Sequence, residues 1–257
     1  MPWIQYTRNL EDVMLRRALQ GIERGCYVDV GASHPVVDSN TYALYQRGWR
    51  GIAVEPQPLF GALWAQERPG DRFIGAAAGA GSGEIALHVP DQYGQAATTH
   101  ARTVERFRRT GLGMTAHSVP LTTLNAVLAE HLDGRPIHLL SLDVEGAEEE
   151  ALAGLDLRRF RPWVMIIEAT QPGSPELAPC AWEPGVLAAD YERIYFDGVN
   201  RYYLAREHAD RRRHFSVPPN VWDDYVNYRM VELERATQTR GGFLSSIFRA
   251  ISAKRGR

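Results

Sequence analysis

The chain alternates short, nearly unbroken apolar runs with longer amphipathic stretches. The runs Tyr27-Val28-Asp29-Val30-Gly31-Ala32, Gly51-Ile52-Ala53-Val54-Glu55-Pro56, Ile137-His138-Leu139-Leu140-Ser141-Leu142-Asp143-Val144 and Trp163-Val164-Met165-Ile166-Ile167-Glu168 show little polar alternation. That texture predicts strands covered on both faces, as in a parallel sheet. Between the runs the spacing predicts helices. Leu10, Val13, Met14, Leu15, Ala18 and Leu19 form a broad stripe on a helix from Asn9 to Gly21, and two more are expected from Asp38 to Arg47, stopped by Gly48, and from Pro58 to Gln66. In Val119-Pro120-Leu121-Thr122-Thr123-Leu124 a threonine can cap a helix that ends near His131. Glu145 to Gly154 is expected to be helical with its acids in the first turn, where they complement the macrodipole.

Shorter strands are expected at 72–77 and 84–89, around the turn Gly79-Ala80-Gly81-Ser82-Gly83. Residues 90–116 are polar, with little periodicity, and read as a mobile insertion placed to cover a site. Beyond the Pro-rich loop from Gln171 to Pro184, Tyr191–Phe196 and Arg201–Ala205 are joined by Asp197-Gly198-Val199-Asn200, the turn chemistry of a hairpin. Strand–helix alternation closed by a hairpin predicts an α/β fold: a doubly wound, mostly parallel, Rossmann-like sheet with an antiparallel edge. Three segments are expected: an N-terminal helical segment (1–24), the α/β domain (25–206), and a C-terminal helical extension (207–257). From Arg240 onward there are five basic residues and no acid, with Phe243, Leu244, Ile247, Phe248 and Ile251 on one helical face. Such a segment suits docking or a membrane surface, packing on its own domain or on a second subunit in a homodimer, or a disordered end.

The apolar runs end in acids. Asp29, Glu55, Asp143 and Glu168 would therefore collect along the carboxyl edge of the predicted sheet, where open α/β sheets bind ligands. A row of like charges needs a ligand, a metal or donors to compensate it. The first turn reads Gly31-Ala32-Ser33-His34-Pro35-Val36, with one glycine where a dinucleotide fingerprint has three. A ribose-binding acid, Glu55, is present without the pyrophosphate cradle, which favours S-adenosylmethionine over NAD. Cofactor contacts are expected from Asp29, Gly31, Ala32, Ser39, Thr41, Glu55, Pro56, Ala77 and Asp143. For transfer to a hydroxyl, Asp143, Glu145 and Glu168 are the candidate acids, and His34 lies in the same first loop. Either one carboxylate acts as general base, or Asp143 and Glu168 hold Mg²⁺ that acidifies the acceptor hydroxyl, and sequence leaves both open.

Net charge is −2, so the chain as a whole carries no basic excess for nucleic acid. Its two cysteines, Cys26 and Cys180, form no C-x-x-C pair, and its eight histidines lack ligand spacing, so zinc is not expected. Without the apolar core of a signal peptide near the N-terminus, the expected compartment is the cytoplasm.

Five segments carry a resemblance. Val28-Asp29-Val30-Gly31-Ala32 with Ser39-Asn40-Thr41, Gly48-Trp49-Arg50-Gly51-Ile52-Ala53-Val54-Glu55-Pro56, Val119–Leu124, Leu142-Asp143-Val144-Glu145-Gly146-Ala147-Glu148 and Ile166-Ile167-Glu168 together resemble the FkbM family of class I S-adenosylmethionine-dependent methyltransferases over about residues 25–205. The segments Tyr195–Tyr203 and His214–Asn220 resemble its surface-glycan branch. The resemblance implies an O-methyltransferase acting on a saccharide hydroxyl. A polyketide or other small metabolite is the alternative acceptor, and a non-catalytic module retaining the fold is the alternative from another class. An arginine and aromatics favour a sugar, and acceptor contacts are expected from Asp197, Asn200, Arg201 and Tyr202.

Overall fold

The structure is a computed structural model that describes residues 2–92 and 96–239. Its strands are β1 (Trp3–Gln5), β2 (Cys26–Val30), β3 (Arg50–Val54), β4 (Arg72–Ile74), β5 (Ala77–Ala78), β6 (Gly83–Pro90), β7 (Met114–Thr122), β8 (Leu139–Leu142), β9 (Val164–Glu168), β10 (Tyr191–Phe196), β11 (Asn200–Ala205) and β12 (Tyr225–Asn227). Its α-helices are α1 (Glu11–Ala18), α2 (Tyr42–Tyr45), α3 (Pro58–Glu67), α4 (Ala101–Arg109), α5 (Leu124–His131), α6 (Glu148–Ala153), α7 (Glu183–Ala188) and α8 (Tyr228–Thr239).

A seven-stranded sheet in the order β10-β11-β9-β8-β2-β3-β4 organises this α/β chain. β9, β8, β2, β3 and β4 pair in parallel, while β11 runs antiparallel to both β9 and β10. Alternation along each strand divides the core. Val28, Val30, Ile52, Val54, Leu140, Leu142, Met165 and Ile167 pack on one face with residues of α5, α6 and α7. Tyr27, Leu139, Val164, Ile166, Tyr202 and Leu204 face the other way, against α1 and α2. Burial on both faces is why these strands read as continuous apolar runs. After β4 the chain crosses the sheet, so that β3 and β4 lie on one side of β2 and β8 and β9 on the other.

Several elements differ from expectation, each for a local reason. Leu10, with φ of 65°, starts α1 late, and the region from 38 to 47 holds only the short α2 because Asp38 is also left-handed, with φ of 59°. The 72–77 run breaks after Ile74, and Ala77–Ala78 leaves the main sheet to pair with β7, which also pairs with β6. The 90–116 insertion contains α4 and the start of β7. Thr103, Val104 and Phe107 are buried on α4, and its surrounding arginines, good helix formers, hide that narrow stripe in the sequence. Beyond Asn220 the chain forms β12, parallel to β1, before α8 begins. Arg17 pairs with Asp223, so both ends of the described chain are tied together. The expectations for Arg240 onward lie outside the described residues.

Candidate active site

At the carboxyl ends of the central strands opens a cavity of about 1210 Å³. Its first wall is the turn after β2. Gly31 has φ of 75°, and its N–H and that of Ala32 both donate to the Val54 carbonyl, at 2.9 and 3.2 Å. A Cβ at Gly31 would sit 1.6 Å from the Asp143 carbonyl oxygen, so only glycine lets the two strand ends approach. Glu55 follows β3, and its two oxygens accept the Gln57 and Ser33 amides, each at 2.8 Å. Burial pushes the Glu55 carboxyl up to about 7, against those hydrogen bonds. Asp29 accepts the Thr41 hydroxyl at 2.5 Å and is pushed by burial to about 6, with Thr41 and Arg68 holding it down. Ala32, Ser39, Pro56 and Ala77 line the cavity, whereas Thr41 is fully buried behind Asp29.

Asp143, Glu145 and Glu168 form the opposite wall. Asp143 is exposed at the cavity. Glu145 is not in a helix. It adopts φ of 54°, Gly146 follows at 100°, and α6 begins only at Glu148. This left-handed turn brings Glu148 back beneath the strand end, where its Oε1 accepts the Val144 and Gly146 amides at 3.1 Å. One carboxylate oxygen each from Asp143, Glu148 and Glu168 lies within 4.8 Å of the others. Burial first, then repulsion from neighbouring acids, lifts Glu145 to about 8, Glu148 to about 7 and Glu168 well above the carboxylate range, while burial lifts Asp143 against a hydrogen bond with Glu168. Arg8 opposes the shift at Asp143 and Glu145. An acid group of this kind can accept a proton near neutral pH or hold a divalent cation.

Sequence reasoning missed Glu148, whose place beside other first-turn acids suggested only a dipole partner. It also missed Arg8, Asn9 and Glu11, which line the cavity from the N-terminal segment, and Arg106 and Phe107, which line it from α4. No local signal marks the N-terminal residues as part of a site.

Two expectations need correction. His34 is absent from the cavity lining: its Nδ1 accepts the Val36 and Val37 amides at 3.1 and 3.0 Å, so it shapes its own loop. In the hairpin, the Asp197 carboxylate accepts the Val199 and Asn200 amides, the Asn200 side chain and the Tyr202 hydroxyl. Tyr202 is only 1% exposed, and Arg201 pairs with Glu183 at 2.7 Å. Asp197, Arg201 and Tyr202 are thus spent on internal contacts. Asn200 alone reaches the cavity, with its amide donating to Glu11 at 3.0 Å.

A glycine turn after the first parallel strand, a fixed acid after the second and further acids on the central strands place the cavity at the ligand-binding edge of an α/β sheet. A family model for the methyltransferase FkbM domain matches residues 29–209, and the chain belongs to that family. Comparison with curated proteins and with solved structures gives no significant match. Among the described residues no helix is long and apolar enough to cross a membrane.

Proposed function

We propose that this protein is an S-adenosylmethionine-dependent O-methyltransferase whose acceptor is a hydroxyl of a saccharide. The observation that carries the reading is the distribution of unsatisfied polar atoms. Among the described residues, the buried side-chain atoms lacking a partner are Trp3 Nε1, Ser33 Oγ, Gln57 Oε1, Glu168 Oε2 and Arg211 Nε. Ser33, Gln57 and Glu168 all line the cavity. Buried polar atoms without partners are costly, and three lining one cavity are explained by a polar ligand that completes them. The sheet order supports the reading as well, since a doubly wound, Rossmann-like sheet with a terminal hairpin binds its nucleoside where strand order reverses, here beside β2.

In this reading Glu55 takes the ribose diol, Gly31 lets the backbone approach the ligand, and Asp29 faces donor N–H or O–H groups. When bound, S-adenosylmethionine supplies a methyl already activated on a sulfonium. The protein must then align the acceptor oxygen and take its proton. Asp143, Glu145 and Glu168 stand where that proton would go. Asp143, Glu148 and Glu168 also have the donor set for Mg²⁺, a hard cation that prefers oxygen ligands. Beyond the donor, Asn9, Gln92, Thr99, Thr110, Thr170, Ser174 and Asn200 give a wall of amides and hydroxyls suited to a polyol. Net charge and this acid-lined cavity fit a small-molecule acceptor rather than nucleic acid. Two free, buried cysteines fit the cytoplasm.

The test is calorimetry with S-adenosylhomocysteine and with NAD, followed by transfer of a labelled methyl group to purified bacterial glycans and to a macrolide. Micromolar binding of the homocysteine alone and label on glycan support the proposal. No binding refutes the donor, and label on the macrolide alone refutes the acceptor.

A further inference from the structure

Arg68, directly after α3, is 1% exposed and does not line the cavity. All five of its N–H directions are used. Nε donates to Asp71 at 2.7 Å, one terminal nitrogen to the Pro35 carbonyl and Ser39 Oγ at 3.3 and 3.2 Å, and the other to the Tyr27 hydroxyl and Thr41 Oγ1 at 2.6 and 3.0 Å. Its guanidinium also lies over the Trp64 ring, 4.2 Å from the centroid. Asp71 accepts in turn from the Tyr27 hydroxyl and the Gly51 amide, each at 2.7 Å, which anchors the pair to β2 and β3.

A brace for the core would be complete with Asp71, Tyr27 and Trp64. The bond to Thr41 goes further. A hydroxyl has one proton, and with Arg68 donating to Thr41 Oγ1 that proton is free to point at Asp29 Oδ2, 2.5 Å away. The chain therefore runs in one direction, from a buried cation through a neutral hydroxyl to a carboxylate on the cavity wall. The charged groups bearing on Asp29 are Arg68 and Asp71 behind it, Asp143 past β8 and Glu55 past β3, so Arg68 is the positive member of the set.

We propose that Arg68 is a positioning residue for donor binding: through Thr41 it holds Asp29 anionic and aimed into the donor half of the cavity. This rests on the reading above that Asp29 meets S-adenosylmethionine. Burial already sets the Asp29 carboxyl at about 6, and Thr41 and Arg68 both hold it down, so losing the relay moves it toward neutral pH.

The experiment is calorimetry of the full chain with S-adenosylhomocysteine from pH 5.5 to 9, on wild type, Thr41→Val, Thr41→Ser and Arg68→Met. Thr41→Val removes the relay proton and leaves the Arg68, Asp71 and Tyr27 cluster in place. Its acid limb should rise by about one pH unit, with affinity down about twofold at pH 7 and about eightfold at pH 5.5, and Thr41→Ser should restore both. Glu55 titrates in the same range in every variant and cancels from the comparison. An unchanged profile in Thr41→Val, or an equal loss at every pH, overturns the proposal whether or not Arg68→Met folds. Wild type that fails to bind refutes the donor reading, and this inference with it.

Discussion

Glu55→Gln removes one charge and replaces one acceptor with a donor at a position where both oxygens already serve the backbone. In the wild type the Ser33 and Gln57 amides each take one lone pair, one on each oxygen at 2.8 Å, which leaves a second lone pair on each oxygen for the two hydroxyls of a ribose. The glutamine NH₂ must face one of those amides and one of those hydroxyls. One charge-assisted bond to the ligand is lost, worth about 1.5–3 kcal/mol. That corresponds to roughly a 10- to 150-fold weaker Kd for S-adenosylhomocysteine. The measurement is calorimetry at pH 8.5, with circular dichroism and a melting curve confirming the fold. Because burial sets the Glu55 carboxyl at about 7, wild type at pH 6 is largely protonated there and resembles the variant, so the gap should narrow on acidification. A Kd within threefold of wild type at pH 8.5, with the fold intact, refutes the assignment of Glu55 to the ribose.

If Asp143, Glu148 and Glu168 hold Mg²⁺, EDTA abolishes methyl transfer, Mg²⁺ restores it, and Glu148→Gln raises the Mg²⁺ needed for half-maximal rate by about tenfold or more; full activity in chelator leaves only the general-base role. Gly31→Ala forces a Cβ against the Asp143 carbonyl at positive φ and should cost about 3 kcal/mol or more, about 6–12 °C in Tm, whereas a shift under about 2 °C would mean that the strand ends separate freely. The ligand-free protein should lose stability as pH rises from 6.5 to 8. Glu55, Glu145 and Glu148 titrate at about 7, 8 and 7 when folded against 4.5 ordinarily, so the native state holds more protons than the unfolded chain in that window. His34, His138, His208 and His214 are lowered by burial and act in the opposite sense, but below 6.5. Thermal melts should therefore show Tm falling between pH 6.5 and 8, less steeply in Glu145→Gln; a flat or rising Tm contradicts the burial of these acids.

Sequence by itself determined what depends on neighbours in the chain. Continuous apolarity marked β2, β3, β8 and β9 because both faces of each strand are covered, and the same runs placed Asp29, Glu55, Asp143 and Glu168 at one edge because parallel strands end on the same side. Thr123 capping α5, with its hydroxyl accepting the Ala126 amide at 3.1 Å, was equally local. Tertiary structure decided which side chains are free to act. Tyr202 lies opposite Ile166 in the sheet and so packs into the core, and Arg201 meets Glu183 eighteen residues earlier, contacts that no turn motif encodes. Glu148 joins the acid cluster only because Glu145 and Gly146 turn left-handed under packing from the 90–116 insertion, where Thr98 donates to the Glu145 carbonyl. Arg8 and Glu11 reach the cavity because β1 pairs with β12 across more than two hundred residues. Pairing energy of that range comes from surfaces that meet only after folding, so the two partners leave no common pattern along the chain.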